Sequence, residues 1–160
     1  MFKTIPTMLI FNGLLLLASC GGPSQLDHSR DGEVIYDEGA EIKYGKGEVK
    51  FVTIGVDRDQ ESAIVKAKRN ALEAVLFKGI PGSNLSKPIV SQQEREASQS
   101  YFNKFLEPGG GYLDYIIFSN FAPAHSIKLR GGYQVGLEIG INYSSLQNKL
   151  ENDKVIKLGI

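Results

Sequence analysis

The chain has 160 residues with 18 basic and 18 acidic side chains, so its formal net charge is zero. A balanced chain with no basic block gives no footing for nucleic acid. A single cysteine excludes internal disulfides and multi-cysteine metal sites. The length suits one domain plus a tether. Tryptophan is absent, but 7 Tyr and 8 Phe suffice for a small core, and no internal repeat or low-complexity tract stands out.

Residues 1–19 read as a secretory leader. Lys3 and the amino terminus make the positive n-region, and an apolar h-region runs from about Met8 to Leu17. Pro6, Asn12 and Gly13 interrupt it, and it is far short of the roughly 20 apolar residues that span a bilayer. Leu17, Ala18 and Ser19 then lead into Cys20, the only cysteine. This arrangement resembles the signal sequence of bacterial lipoproteins. The resemblance implies that the Cys20 thiol receives a diacylglycerol, that cleavage falls before Cys20, and that the new amino group is acylated. One acyl chain binds a membrane marginally, whereas two or more hold firmly. The alternative is a buried or catalytic cysteine behind a hydrophobic leader. In lipoproteins of enteric bacteria an Asp after the cysteine favours inner-membrane retention. Gly21 stands here, so outer-membrane attachment is expected, and the lack of an acidic cluster after Cys20 favours a periplasm-facing domain.

Cleavage before Cys20 leaves 141 residues, which divide into a tether over 20–47 and one domain over 48–160. Gly21-Gly22-Pro23-Ser24 is small and polar, and Asp31, Glu33, Asp37, Glu38 and Glu41 make the rest acidic, a composition that buries little. Val34-Ile35-Tyr36 within it could form a short strand.

Glu48 to Val56 reads as a strand. Its apolar residues occur in both phases, so either both faces are covered or a bulge shifts the register. Asp57 or Asp59 can cap a helix from Gln60 to Lys78, in which Ile64, Ala67, Ala71 and Val75 follow helical spacing with Leu72 beside them. Its alanines allow close approach to a sheet. Gly79 and Pro81 end it. After a loop from Ile80 to Val90, Ser91 and Glu94 form a capping box and open a helix carrying Ala97, Tyr101, Phe102, Phe105 and Leu106 on one side. Pro108 and Gly109-Gly110-Gly111 stop it.

Tyr112 to Phe121 is a second strand, and Ile127 to Arg130 another extended run, with Gly131-Gly132 suiting a two-residue turn. The clearest strand follows. Tyr133, Val135, Leu137, Ile139 and Ile141 point one way, while Gln134, Gly136, Glu138, Gly140 and Asn142 point the other. Leu146 and Leu150 lie on a short last helix, and Val155-Ile156-Lys157-Leu158 closes as a packed tail. The order β-α-α-β-β-α predicts an α+β two-layer domain. The last strand is expected to be central, antiparallel to its neighbours, with the Ile64–Val75 helix on its apolar face.

Sequence motifs for chemistry are sparse. His28 and His125 are distant in sequence, and a metal site needs more convergent ligands. There is no G-x-S-x-G and no S-x-x-K. Ser83 has no evident activating base. Gly45-Lys46-Gly47 precedes a strand and Gly109–Gly111 follows a helix, whereas a phosphate loop follows a strand and opens a helix. Glu94 is committed to a cap and has no paired acid beyond surface Glu96. No catalytic residue, metal or cofactor is expected.

Two features suit partner binding. Gly136 and Gly140 share one face of the best strand, where a backbone or ring could approach, or where the chain simply needs small residues. Tyr112 and Tyr115 beside Gly109–Gly111 could mark a sticky edge or belong to the core. An open sheet edge would bind a partner by strand addition.

From Val49 to Tyr143 a wider pattern emerges. It comprises Ile54-Gly55-Val56 ending a strand, a helix with Ala63, Ala67, Arg69-Asn70-Ala71-Leu72 and Ala74, and Gly132-Tyr133-Gln134-Val135-Gly136-Leu137 in a late strand. Together these resemble the small lipoprotein family related to the N-terminal domain of flagellar assembly protein T. The resemblance implies a non-enzymatic part of an envelope assembly; the 87–111 insertion departs from the family pattern. The expectation is thus a lipid-anchored envelope scaffold, attached through Cys20, whose partner is an envelope protein or a second copy of the chain. The alternative is a periplasmic module that binds a small molecule or glycan through the Ile80–Val90 loop and nearby tyrosines.

Overall fold

In the computed structural model, residues 26–36 and 47–157 are described. Among these residues five strands and four α-helices run in the order β1 (Val34–Ile35), β2 (Glu48–Asp57), α1 (Gln60–Phe77), α2 (Gln92–Ala97), α3 (Gln99–Phe105), β3 (Ile116–Phe121), β4 (Ile127–Leu129), β5 (Gly132–Asn142) and α4 (Tyr143–Asn152). The strands make one antiparallel sheet in the order β1-β2-β5-β3, with β4 also pairing β5, beyond the end of β3. The protein is an α+β fold, with β5 central as its strict alternation predicts.

β2 and β5 pair without a register shift from Glu48↔Asn142 to Asp57↔Tyr133. The two apolar phases of β2 therefore mean that both faces are covered. Val49, Phe51 and Gly55 lie on the same side as Val135, Leu137, Ile139 and Ile141 and meet α1. Ile54 and Val56 lie on the opposite side and are equally buried. The bulge occurs in β3 instead, between Ile116 and Phe118.

α1 can lie close to the sheet because its contact residues are small. Ala63, Ala67, Ala71 and Ala74 are all buried, and a Cβ at Gly55 would collide with the Ala63 carbonyl and Ala67 amide. Asp59 caps α1 by accepting from the Ser62 amide at 2.8 Å. At the other end Gly79 takes φ 79°, which its missing Cβ permits, and its N–H donates to the Ala74 carbonyl at 2.8 Å. The chain then folds back so that the Val90 amide donates to the Leu76 carbonyl at 2.9 Å, meeting a helix end that would otherwise lack a donor.

Four expectations need correction. The segment over 20–47 is not tether throughout: residues 26–36 form a turn and β1. Asp31 is the clamp, accepting from the Val56 amide and from Asn70 Nδ2 through Oδ1, while Lys66 Nζ sits 2.9 Å from Oδ2. The long second helix is two helices broken at Ser98 (φ −118°, ψ 26°), which leaves Ala97 exposed while Phe102 and Phe105 are buried. Tyr112 to Tyr115 is not strand but a 3-10 turn (Gly111–Tyr115), which swings Tyr112 into the core before β3 begins. The β4–β5 turn is Arg130-Gly131, one residue earlier than the expected Gly131-Gly132: Leu129 pairs Gly132, and Gly131 has φ 91°. The capping box of Ser91 and Glu94 and the buried Val155-Ile156 tail are present.

Candidate functional site

Leu17, Ala18, Ser19 and Cys20 lie outside the described residues. The remaining sequence candidates are described, and the structure does not bring them together. Gly136 and Gly140 are on the outer face of the sheet, away from α1. Each is occupied by the chain itself: a Cβ at Gly136 would stand 2.6 Å from His125 Cβ, and one at Gly140 would strike the Phe118 ring. Close approach of a backbone or ring at these positions is thus met within the molecule. Tyr112 is 1% exposed in the core, and Tyr115 is half-buried against Phe105, ring centroids 6.0 Å apart.

The residues weighed for chemistry have structural work. Ser83 Oγ donates to the Ile80 carbonyl at 2.8 Å and accepts from the Leu85 amide at 3.0 Å, which ties the 80–90 loop into a turn. Glu94 closes its capping box and also accepts from the Lys157 amide at 3.0 Å, so hydrogen bonds from Ser91 and then Lys157 hold its carboxyl below the usual range. His28 is exposed in the N-terminal turn, and His125 packs on Gly136 with its carbonyl accepting from Gln134 Nε2. Among the described residues no three His, Cys, Asp or Glu side chains group to hold a metal, and no helix is long and apolar enough to cross a membrane.

Two surfaces stand out that sequence reasoning did not locate. The first is the β3 edge. Among the described residues nothing pairs its outer side. Its six residues, Ile-Ile-Phe-Ser-Asn-Phe, carry no charge, and Ile117 and Phe121 are 48% and 51% exposed. Natural edge strands are usually blunted by charge or proline; this one is not. Beyond it Ile127, on β4, is 58% exposed. Ile117 sits at the bulge, which turns it to solvent.

The second is a groove of about 480 Å³ between α3, the Gly109–Gly111 turn and α4. Tyr101 stacks on Phe105 with centroids 5.8 Å apart and planes 14° apart. Its hydroxyl donates to Asp153 Oδ2 at 2.6 Å, and Lys149 Nζ lies 2.8 Å from Asp153 Oδ1. Burial, then the bond to Asp153, push the Tyr101 pKa up, while Lys149 and Tyr101 hold Asp153 down. Tyr101 therefore stays protonated as a donor, and Lys104 and Glu107 line the groove beside it.

No family model, curated protein or solved structure matches the chain.

Proposed function

We propose that the protein is a lipid-anchored, non-enzymatic component of the cell envelope, held to the outer membrane through Cys20 and facing the periplasm, which presents the β3 edge to a protein partner. The leader ending in Leu17-Ala18-Ser19-Cys20 supports the anchor. The observation that carries the binding role is the uncharged β3, outwardly unpaired among the described residues, with Ile117 half-exposed. Such an edge offers main-chain hydrogen bonds for affinity and side chains for selectivity to an added strand.

The test is a photo-crosslinking residue placed at Asn120 in cells, with the same residue at exposed Gln93 on α2 as the control. One discrete adduct at Asn120, absent at Gln93 and abolished by Ile117→Lys, is the expected result. Equal adducts at both sites, or an adduct indifferent to Ile117→Lys, would remove the edge from the proposal. Fractionation of wild type against Cys20→Ala tests the anchor separately.

A second reading rests on the Tyr101 groove, whose volume is in the range of small-molecule sites. An aromatic ring with a fixed hydroxyl donor and a carboxylate suits a glycan. Nuclear magnetic resonance titration with glycan fragments, read against Tyr101→Ala, tests it. The 80–90 loop is not part of that groove, because Ile80 and Val90 are buried beneath α1's end.

A further inference from the structure

From the position of the N-terminal segment we infer that one end of the domain, the β4–β5 turn with Ile127, rests against the lipid surface that carries the anchor. This rests on the lipid-anchored reading above. Six residue steps separate Cys20 from Leu26, and at full extension they span about 20 Å. β5 alone, eleven residues long, measures about 35 Å. The tether is shorter than the domain, so the point where Leu26 joins the fold must stay near the membrane.

That point is fixed. Leu26 packs on Gly132, at the start of β5; a Cβ there would lie 2.7 Å from Leu26 Cδ1. Gly132 pairs Leu129, and Arg130-Gly131 makes the turn between them. Ile127, two residues back along β4, is the most exposed large apolar side chain described, at 58%. It shares a depression of about 180 Å³ with Gln60, Lys128 and Tyr133. Gln60 begins α1, so α1 runs away from this end for 18 residues, about 27 Å, and carries the 80–90 loop to the far side.

Charge does not select the surface. Arg58, Lys128 and Arg130 at this end are offset by Asp27, Asp57 and Asp59. Apolar contact by Ile127 is what remains to hold the face down. The occupant is therefore lipid of either charge.

Cys20 carries the lipid as a thioether, so an introduced cysteine is the only free thiol. The lipidated full chain, with Ile127 intact, is made as Arg130→Cys in the exposed β4–β5 turn and, separately, as Ser86→Cys in the exposed far loop, and each is labelled with a fluorophore and reconstituted into phosphatidylethanolamine–phosphatidylglycerol vesicles. A headgroup-borne quencher is expected to quench the label at position 130 several-fold more than the label at 86, equally at low and high salt. Equal quenching at the two positions overturns the inference, as does loss of the difference in high salt. So does a label at 130 shielded from water-soluble iodide but untouched by the lipid quencher, which would mean protein covers it. If wild type fractionates away from membranes in cells, the anchor reading fails instead, and the vesicle result is not needed to say so.

Discussion

The two faces of the central sheet are both buried, by different means. On the helix face, Val135, Leu137, Ile139 and Ile141 of β5 and Val49 and Phe51 of β2 meet the alanines of α1. On the outer face, Gly136 and Gly140 are covered by His125 and Phe118, and Lys50 Nζ lies 2.5 Å from Glu138 Oε1. The helix face is apolar packing against backbone that cannot yield. On the outer face Gly136 meets the His125 Cβ and nearby backbone, whereas Gly140 is filled by the Phe118 ring, which can turn, with an ion pair beside it. The same strand can thus look amphipathic in sequence and still have no bare face.

Substitutions that probe the difference can be ranked. Gly55→Ala should cost most, about 3 kcal/mol, because the added methyl meets the Ala63 carbonyl and Ala67 amide of α1; denaturant unfolding reads it. Gly140→Ala on the outer face should cost about 1 kcal/mol, because the obstacle is the Phe118 ring. On a Phe118→Ala background the cost of Gly140→Ala should shrink, whereas a Gly140→Ala cost as large as that at Gly55 would erase the distinction between the faces. Thr53→Val should stabilise by about 1 kcal/mol. Thr53 lies on the helix face, fully buried, and its hydroxyl has no partner among the described residues, so a methyl of like shape removes an unmet polar group.

The smallest effect should be in pH dependence. The hydrogen bond from Lys50 holds the Glu138 carboxyl below its ordinary 4.5. A depressed folded pKa stabilises above the ordinary value and loses that contribution as pH falls through the folded one. Glu138→Gln should therefore be slightly less stable than wild type at neutral pH, and the gap should close on acidification. A gap that widens in acid would contradict the pairing.

What could be read from the chain alone follows from how local the cause was. β5 was legible because alternation over ten residues has one interpretation, and α1 because alanine spacing and the Asp59 cap agree. The Ser91–Glu94 box was legible for the same reason. The break at Ser98 was not, because helical spacing assumes a straight axis, and α3 turns to bury Phe102 against Phe77, ring centroids 5.1 Å apart. Tyr112 has strand propensity, yet burial of its ring decides its place. The linker composition of 20–47 hid the turn before β1, although Val34-Ile35-Tyr36 allowed the short strand itself; the order of the turn comes from Asp31 reaching β2 and α1, far along the chain. The candidate surfaces were hidden for a related reason. Lys149 and Asp153 are neighbours on one helical turn, but Tyr101 reaches them only through tertiary packing, and which strand forms the edge is a property of the whole sheet.

The pairing of Glu48 with Asn142 has a consequence in time. The strand at the middle of the sheet is the last strand made, 94 residues after its partner begins. Until it arrives β2 has no neighbour on that side, and α1 has only β2 to pack on. Contacts between such distant segments form slowly. A chain made amino end first therefore cannot complete its sheet until residue 142 has emerged, so the central pairing is the late step of its folding.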